Sequence, residues 1–358
     1  MKKKKVYLTL QTGEVFQGYR FGAEGEVSGE LVFSTGMVGY METLTDPANY
    51  GQIVVQTFPL IGNYGIMRSD VESEKTWVSA YVVREACENP SNFRMEGSLG
   101  EYLKENGVVG IYGVDTRQIT KIIREKGAMK AWVSNKPFTC AFSEAVIGNE
   151  TAVEAVAPKT SEVFGAENAQ YTIALWNFGE KKSRIESLVK QGYRVISMPA
   201  SATAEEILAL NVDGVVISEG PGNPKENKEA IQEISKLLGK KPVLGIGLGH
   251  QLIALATGAD TAKMKYGHRG SNQPVKCVEC GRVYISTQNH SYEVVSDTVK
   301  KGTVNYINVN DGSCEGIDYE EYKALSVQFS PESCSASGGS NPVYEKFFTL
   351  IKKEKENA

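Results

Sequence analysis

The sequence predicts an α/β protein of two domains, the second built on a parallel sheet. The clearest sign is the alternation that begins at Tyr171. Apolar strands over 173–177, 193–197 and 214–218 and at Val243 are separated by amphipathic helical patterns over 183–190, 204–210 and 228–238. Continuous apolar strands joined by crossover helices make a parallel sheet covered on both faces. Before Asn135 the pattern changes to short strands at 6–10, 15–19 and 30–33 with glycine-rich turns, and helices are expected at 101–105 and 116–124. That describes a mixed β-rich domain with helices on one side. A length of 358 residues also favours two domains over one. The expected division is a first domain over 1–148, a linker over 149–168 rich in Ala, Glu, Thr and Val without clear periodicity, and a second domain over 169–358.

Composition excludes several function classes. With 41% hydrophobic and 23% charged residues and a net charge of −4, the chain carries no strong attraction for nucleic acid or a membrane surface. The Lys2–Lys5 run reads as a solvated tail. No apolar stretch approaches the roughly 20 residues that span a bilayer, and the N-terminus lacks the apolar core of a secretory signal, so the cytoplasm is the expected location. Six scattered cysteines (87, 140, 277, 280, 314, 334) read as free thiols. Cys277-Val-Glu-Cys280 lacks a second ligand pair nearby and reads as a hairpin turn, with no metal expected.

The most informative stretch is Gly245-Ile-Gly247-Leu-Gly249-His250-Gln251, between the strand at Val243 and a helix from Gln251. A strand turning sharply into a helix through small residues is a nucleophile elbow. Its helix N-terminus would stabilise a thiolate and a developing oxyanion. Here the apex is Gly247, which has no side chain with which to attack. Glu219-Gly220-Pro221-Gly222 also follows a strand, so both turns are expected on the carboxyl edge of the sheet, where such sheets bind ligands.

Over nearly its full length the chain resembles the small, glutamine amidotransferase subunit of carbamoyl phosphate synthetase. The first half carries Phe33-Ser-Thr-Gly-Met-Val-Gly-Tyr-Met-Glu42, Leu44-Thr-Asp-Pro47, Pro59-Leu-Ile-Gly-Asn-Tyr-Gly65, Gly113-Val-Asp-Thr-Arg117 and Ile123-Arg-Glu-Lys-Gly-Ala-Met129. The second carries Asn177-Phe-Gly179, Gly220-Pro-Gly222, the elbow, Tyr266-Gly-His-Arg-Gly270, Gln288-Asn-His290 and Gln328-Phe-Ser-Pro-Glu332. The resemblance implies an N-terminal β/β/α domain and a C-terminal flavodoxin-like class I glutaminase domain. It also implies a large-subunit partner that binds ATP and magnesium, with no cofactor on this chain. The large subunit would make carbamoyl phosphate for pyrimidine and arginine synthesis from ammonia that the small subunit delivers.

In that family a cysteine thiolate attacks the glutamine amide, a histidine acts as base and acid, and a glutamate orients the histidine. The nucleophile position is Gly247 here, and the family's His-Pro-Glu reads Ser330-Pro331-Glu332, so only Glu332 is retained. The triad acts as a unit, and the resemblance therefore implies a subunit whose own hydrolysis is lost. By the family's pattern, glutamine would be held by Gly36, Gly220, Gly222, Leu248, Gln251, Asn289, Ser291 and Tyr292. Gly36 stands where many relatives have serine, and Ser291 where glycine is usual. A retained pocket is expected, with an empty vestigial one as the alternative. Cys314 and Cys334 are off the elbow and read as poor substitute nucleophiles. His290 reads as a structural histidine, His250 as a cap of the helix start, and His268 as facing an interface or solvent.

Two functions compete. One is an ammonia-dependent small subunit docked on a large ATP-using partner, since this chain has no P-loop or other ATP-binding signature. The other is a non-catalytic paralogue that senses glutamine or competes for the large subunit. An active glutaminase with unusual residues and an engineered inactive variant are further readings that the sequence favours less.

Overall fold

The computed structural model describes residues 4–137, 152–334 and 341–356. The chain forms two compact units, Met1–Glu150 and Thr151–Ala358.

In the first unit the strands are β1 (Lys5–Leu10), β2 (Val15–Gly22), β3 (Val27–Ser34), β4 (Gln52–Gln56), β5 (Leu60–Ile61), β6 (Ala80–Val82), β7 (Glu85–Ala86), β8 (Val109–Tyr112) and β9 (Met129–Ser134). The helices are α1 (Tyr40–Thr45), α2 (Leu99–Glu105) and α3 (Thr116–Lys126). A closed barrel runs β1-β2-β8-β6-β4-β3-β9, with β5 and β7 paired beside it. The expected β-rich character is present, and closure removes the exposed strand edges that an open sheet would leave. Helix α2 starts on a capping box, in which the Ser98 side chain accepts from the Glu101 N–H and the Glu101 side chain returns to the Ser98 backbone.

The second unit opens with α4 (Ala152–Val156) and β10 (Glu162–Phe164). Then come β11 (Tyr171–Asn177), α5 (Lys182–Lys190), β12 (Tyr193–Pro199), α6 (Ala204–Ala209), β13 (Gly214–Ile217), α7 (Lys228–Leu237), β14 (Val243–Ile246) and α8 (Leu248–Ala256). The chain ends with β15 (Thr261–Cys277), β16 (Val283–Val294), β17 (Thr303–Asn308), β18 (Cys314–Tyr319), β19 (Ala324–Val327) and α9 (Pro342–Glu356). One sheet carries the order β10-β12-β11-β13-β14-β19-β18-β16-β15-β17. Strands β12, β11, β13 and β14 are mutually parallel, as expected, and β19, which was not expected, extends them parallel to β14. The antiparallel wing from β18 to β17 was not expected from the pattern.

Alternation along β11 explains the continuous apolar runs. Ala174 and Trp176 join a core with Leu237, Leu252 and Ile253 of α7 and α8. Ile173 and Leu175 join the opposite core with Leu188 of α5 and Phe347 of α9. Both faces are buried, and each fully buried large side chain contributes about 1.5–3 kcal/mol.

The expected linker over 149–168 needs correction. Residues 149–151 lie outside the described residues, but α4 buries Val153, and Ala157 just after it, in the core that contains Trp176. Strand β10 pairs antiparallel with β12. Elements of five and three residues are too short to show a period in sequence.

Candidate functional site

Strand β14 turns into α8 through Gly247, at φ 57° and ψ −111°. This backbone conformation is strained for any residue with a Cβ. The flanking glycines have a packing reason: a Cβ on Gly249 would lie 2.1 Å from the Ile217 carbonyl oxygen, and one on Gly245 would lie 2.5 Å from Ile253 Cδ1. The turn is bound to the next strand by the Gly247 N–H donating to the Val327 carbonyl at 2.9 Å. Ser330 follows three residues later and donates its backbone N–H to Thr287. Positions 247 and 330 therefore share the carboxyl edge of two paired strands, β14 and β19.

Between these positions and α5 lies a hub that the sequence did not suggest. Arg184, only 2% exposed, is its centre. Its Nε donates to Glu180 Oε1 at 2.9 Å, Nη2 to Glu219 Oε1 at 2.7 Å, and Nη1 to both oxygens of Glu332 at 3.0 and 2.8 Å. Lys181 Nζ lies 2.9 Å from the same Glu219 oxygen, and the Tyr344 hydroxyl donates to Glu332. Burial works against the Glu219 charge, but Lys181 and Arg184 more than offset it and hold the carboxyl at about 2. Burial, with the neighbouring Glu219 charge, pushes Glu180 up to about 8 despite Arg184. Glu180 Oε2 is buried with no hydrogen-bond partner among the described residues, and is the natural seat of that proton. At neutral pH two cations then face two anions. Glu332, the retained position of the family's triad, is bound by a guanidinium and a phenol.

The expected glutamine-binding residues of the second unit fall near the same edge. Gly220 touches Leu248: a Cβ on the glycine would lie 3.0 Å from Leu248 Cδ2. Gly222, at φ 90°, faces Ala152 of α4. Gln251 on α8 donates its amide to the Tyr292 carbonyl at 2.9 Å and to Gln328 Oε1 at 2.8 Å, which ties the helix to β16. Asn289 lies on β16 opposite Arg269, and Arg269 also donates to Ser291 Oγ. Gly36 belongs to the first unit, in the loop after β3.

The histidines correct two expectations. His250 does not cap α8. It is fully buried with Nδ1 2.7 Å from Ser326 Oγ, and burial holds it neutral, down at about 3. His268 does not face solvent, being only 7% exposed. Its Nε2 lies 2.8 Å from Asp311, and its Nδ1 lies 2.9 Å from Gln288 Oε1 and 3.3 Å from Glu315. Burial opposes its charge, but Glu315 and Asp311 raise its affinity for a proton. His290 is structural as expected, with Nδ1 donating to the Tyr292 carbonyl at 2.9 Å.

His268, His290 and Glu315 form a group with metal-ligand chemistry, their ligand atoms within 4.8 Å of one another. Asp311 faces Nε2 of His268, while Gln288 Oε1, Glu315 and the Asn308 amide nitrogen at 3.3 Å face Nδ1, and a protonated imidazole between the two carboxylates fits most of these contacts. Cys277 and Cys280 bound a hairpin turn, in which the Gly281 N–H donates to the Cys277 carbonyl. Burial pushes the Cys314 thiol up to about 12, which leaves it inert. Cys140 and the Cys334 side chain lie outside the described residues.

Residues 8–133 match the family described as carbamoyl-phosphate synthase small chain, CPSase domain, and residues 175–350 match glutamine amidotransferase class-I. The carbamoyl phosphate synthase small chain of Bacillus caldolyticus is 44% identical over 356 residues, covering 98% of this chain and 97% of that one. That of Clostridium perfringens (strain 13 / Type A) is 44% identical over 347 residues, covering 96% and 98%. The chain belongs to the carbamoyl phosphate synthase small-chain family. Among solved structures, a glutamine amidotransferase from Thermotoga maritima covers 52% of this chain and 84% of its own, at 18% identity and a TM-score of 0.36, too slight a likeness to argue from. The general partner that membership gives the chain is a large subunit. No helix among the described residues is long and apolar enough to cross a membrane.

Sequence reasoning missed Arg184, Lys181, Glu180 and Tyr344. Arg184 reads as an ordinary surface residue of an amphipathic helix, and only the sheet edge beneath it makes its position internal. Glu219 was placed on the correct edge but given no role. Its signal was available: a carboxylate immediately before Gly-Pro-Gly, at a buried strand end, needs a cation nearby.

Proposed function

We propose that this chain is a carbamoyl phosphate synthase small subunit that no longer hydrolyses glutamine and serves a large subunit supplied with free ammonia. The observation that carries this reading is the state of the elbow, where Gly247 has no nucleophile and Glu219 lies beside it, while Glu332 is bound by Arg184.

Glutamine hydrolysis on this fold needs a thiolate to attack the amide carbon and an imidazole to protonate the departing ammonia. Gly247 offers neither thiol nor hydroxyl. The hydroxyl at Ser330 is not a base near neutral pH, because its conjugate acid is far too strong. Glu219 is a poor base for water, since two cations hold its carboxyl at about 2. Glu332 spends both oxygens on Arg184.

Bicarbonate, ATP and magnesium would then be handled by the large subunit, and this chain would contribute docking rather than nitrogen. The carbamoyl phosphate formed would supply pyrimidine or arginine synthesis. A cytoplasmic heterodimer is the assembly that this reading implies.

A second reading, a glutamine-sensing paralogue, is favoured by one observation. The Gln251 amide donates to the Tyr292 carbonyl, so two residues of the expected glutamine site still brace each other although the triad is gone. Calorimetric titration with L-glutamine tests this second reading, because a sensor must bind it and the absence of detectable binding would sink the sensor.

The function is tested by comparing carbamoyl phosphate formation from glutamine and from ammonium chloride once the chain is assembled with its large subunit. Formation from ammonium alone is expected. Equal rates from both nitrogen sources would sink the proposal.

A further inference from the structure

We propose that Glu219, gripped by Arg184 and Lys181, closes the nucleophile position, so that a thiol returned to residue 247 would be crowded and faced by a carboxylate. This rests on the reading that glutamine hydrolysis is lost, and it names the residue that keeps it lost.

The crowding is geometric. A Cβ on Gly247 would lie 2.8 Å from Glu219 Cβ, 3.4 Å from its Cα and 3.7 Å from its Oε2. The first two atoms cannot rotate out of the way, so residue 219 itself must move. Its backbone is pinned on the N-terminal side. The Ser218 N–H donates to the Trp176 carbonyl at 3.1 Å, and the Gly249 N–H donates to the Ser218 carbonyl at 3.0 Å. Its side chain is pinned by Arg184 Nη2 at 2.7 Å and Lys181 Nζ at 2.9 Å.

The second obstacle is charge. At a helix N-terminus a thiol ordinarily loses its proton more readily. A carboxylate within a few ångströms of the sulfur favours the neutral thiol instead. The third obstacle is the engagement of Glu332. The family's glutamate orients a histidine, but here the guanidinium that anchors Glu219 also binds both oxygens of Glu332. A histidine returned to position 330 would find its partner engaged. Glu219 and Glu332 are thus two ends of one clamp on Arg184, and Glu219 is a positioning residue acting on position 247.

The test titrates the introduced thiol and needs no glutamine. Full-length Gly247→Cys, Gly247→Cys/Glu219→Gln and Gly247→Cys/Glu219→Gly would be alkylated with iodoacetamide across pH, with modification of residue 247 followed by peptide mass spectrometry. The single variant is expected to titrate above the ordinary thiol value of ~8.5, and to react at pH 8 about tenfold more slowly than the Glu219→Gln double variant, one pKa unit being tenfold in thiolate. A single variant titrating at or below the ordinary value, or one with the same profile as the double, would overturn the inference. If Gly247→Cys alone does not fold, recovery of folding by Glu219→Gly supports it and continued failure overturns it. Hydrolysis of glutamine by the unmodified chain would refute the loss of activity without changing these thiol profiles, so the two failures are distinguishable.

Discussion

Replacing Gly247 by alanine should destabilise the second unit, and the structure sets the size of the effect. At φ 57° and ψ −111° a Cβ costs about 1–3 kcal/mol of backbone strain. The new methyl also lies 2.8 Å from Glu219 Cβ, and overpacking of this kind costs about 1–3 kcal/mol. A central sum of about 4 kcal/mol is a large part of the 5–15 kcal/mol that holds a typical domain folded. In a unit the size of 151–358 it corresponds to a fall of roughly 8–16 °C in melting temperature. Gly258→Ala is the control. That glycine, at φ 91°, has nothing within 4 Å of its ideal Cβ, so alanine there carries backbone strain without the clash. Differential scanning calorimetry of the native chain and both variants should give a larger fall for Gly247→Ala than for Gly258→Ala. An unchanged or higher melting temperature for Gly247→Ala would refute the reasoning, as would equal falls for its steric part.

Arg184→Met should cost about 3 kcal/mol, the low end for a broken buried pair, because Glu219 keeps Lys181 and Glu332 keeps Tyr344 when the shared guanidinium is lost; a loss under about 1 kcal/mol in urea unfolding would contradict the hub. Folded Glu180 keeps its proton up to about 8, whereas the unfolded chain releases it near 4.5. The folded state thus binds more protons between these values, and the stabilising contribution of Glu180, full below 4.5, is lost as pH rises to about 8. Glu180→Gln should accordingly lose less melting temperature than the native chain between pH 6 and pH 9, and equal losses would count against the assignment. Burial shifts the Cys314 thiol up to about 12 while Cys280 is exposed with its thiol shifted down, chiefly through Cys277. Iodoacetamide should therefore modify Cys280 well before Cys314, and early labelling of Cys314 would contradict its buried placement.

The parallel half of the fold was legible because strands buried on both faces must be continuously apolar, and β11 to β14 are. The antiparallel wing was not, because β15 and β16 carry mixed polarity with irregular register between Lys263 and His268 and between Gly270 and Gln273. The glycine at the apex of the elbow could be read directly, since an elbow without a side chain there is a statement about one residue. The charges gathered beside it could not. Arg184 reaches Glu180 four residues away, Glu219 across the sheet edge and Glu332 far along the chain, and only the folded edge brings these charges together. The histidines were misplaced for the same reason. His250 follows the elbow in a position that suits a cap, yet the close approach of α8 to β19 turns its ring inward to Ser326.

The most direct test of the account is ammonia release from glutamine by the purified chain, alone and with its large subunit. The account predicts none in either case, while the assembled enzyme forms carbamoyl phosphate from ammonium. Glutamine-dependent ammonia release by the native chain would contradict it.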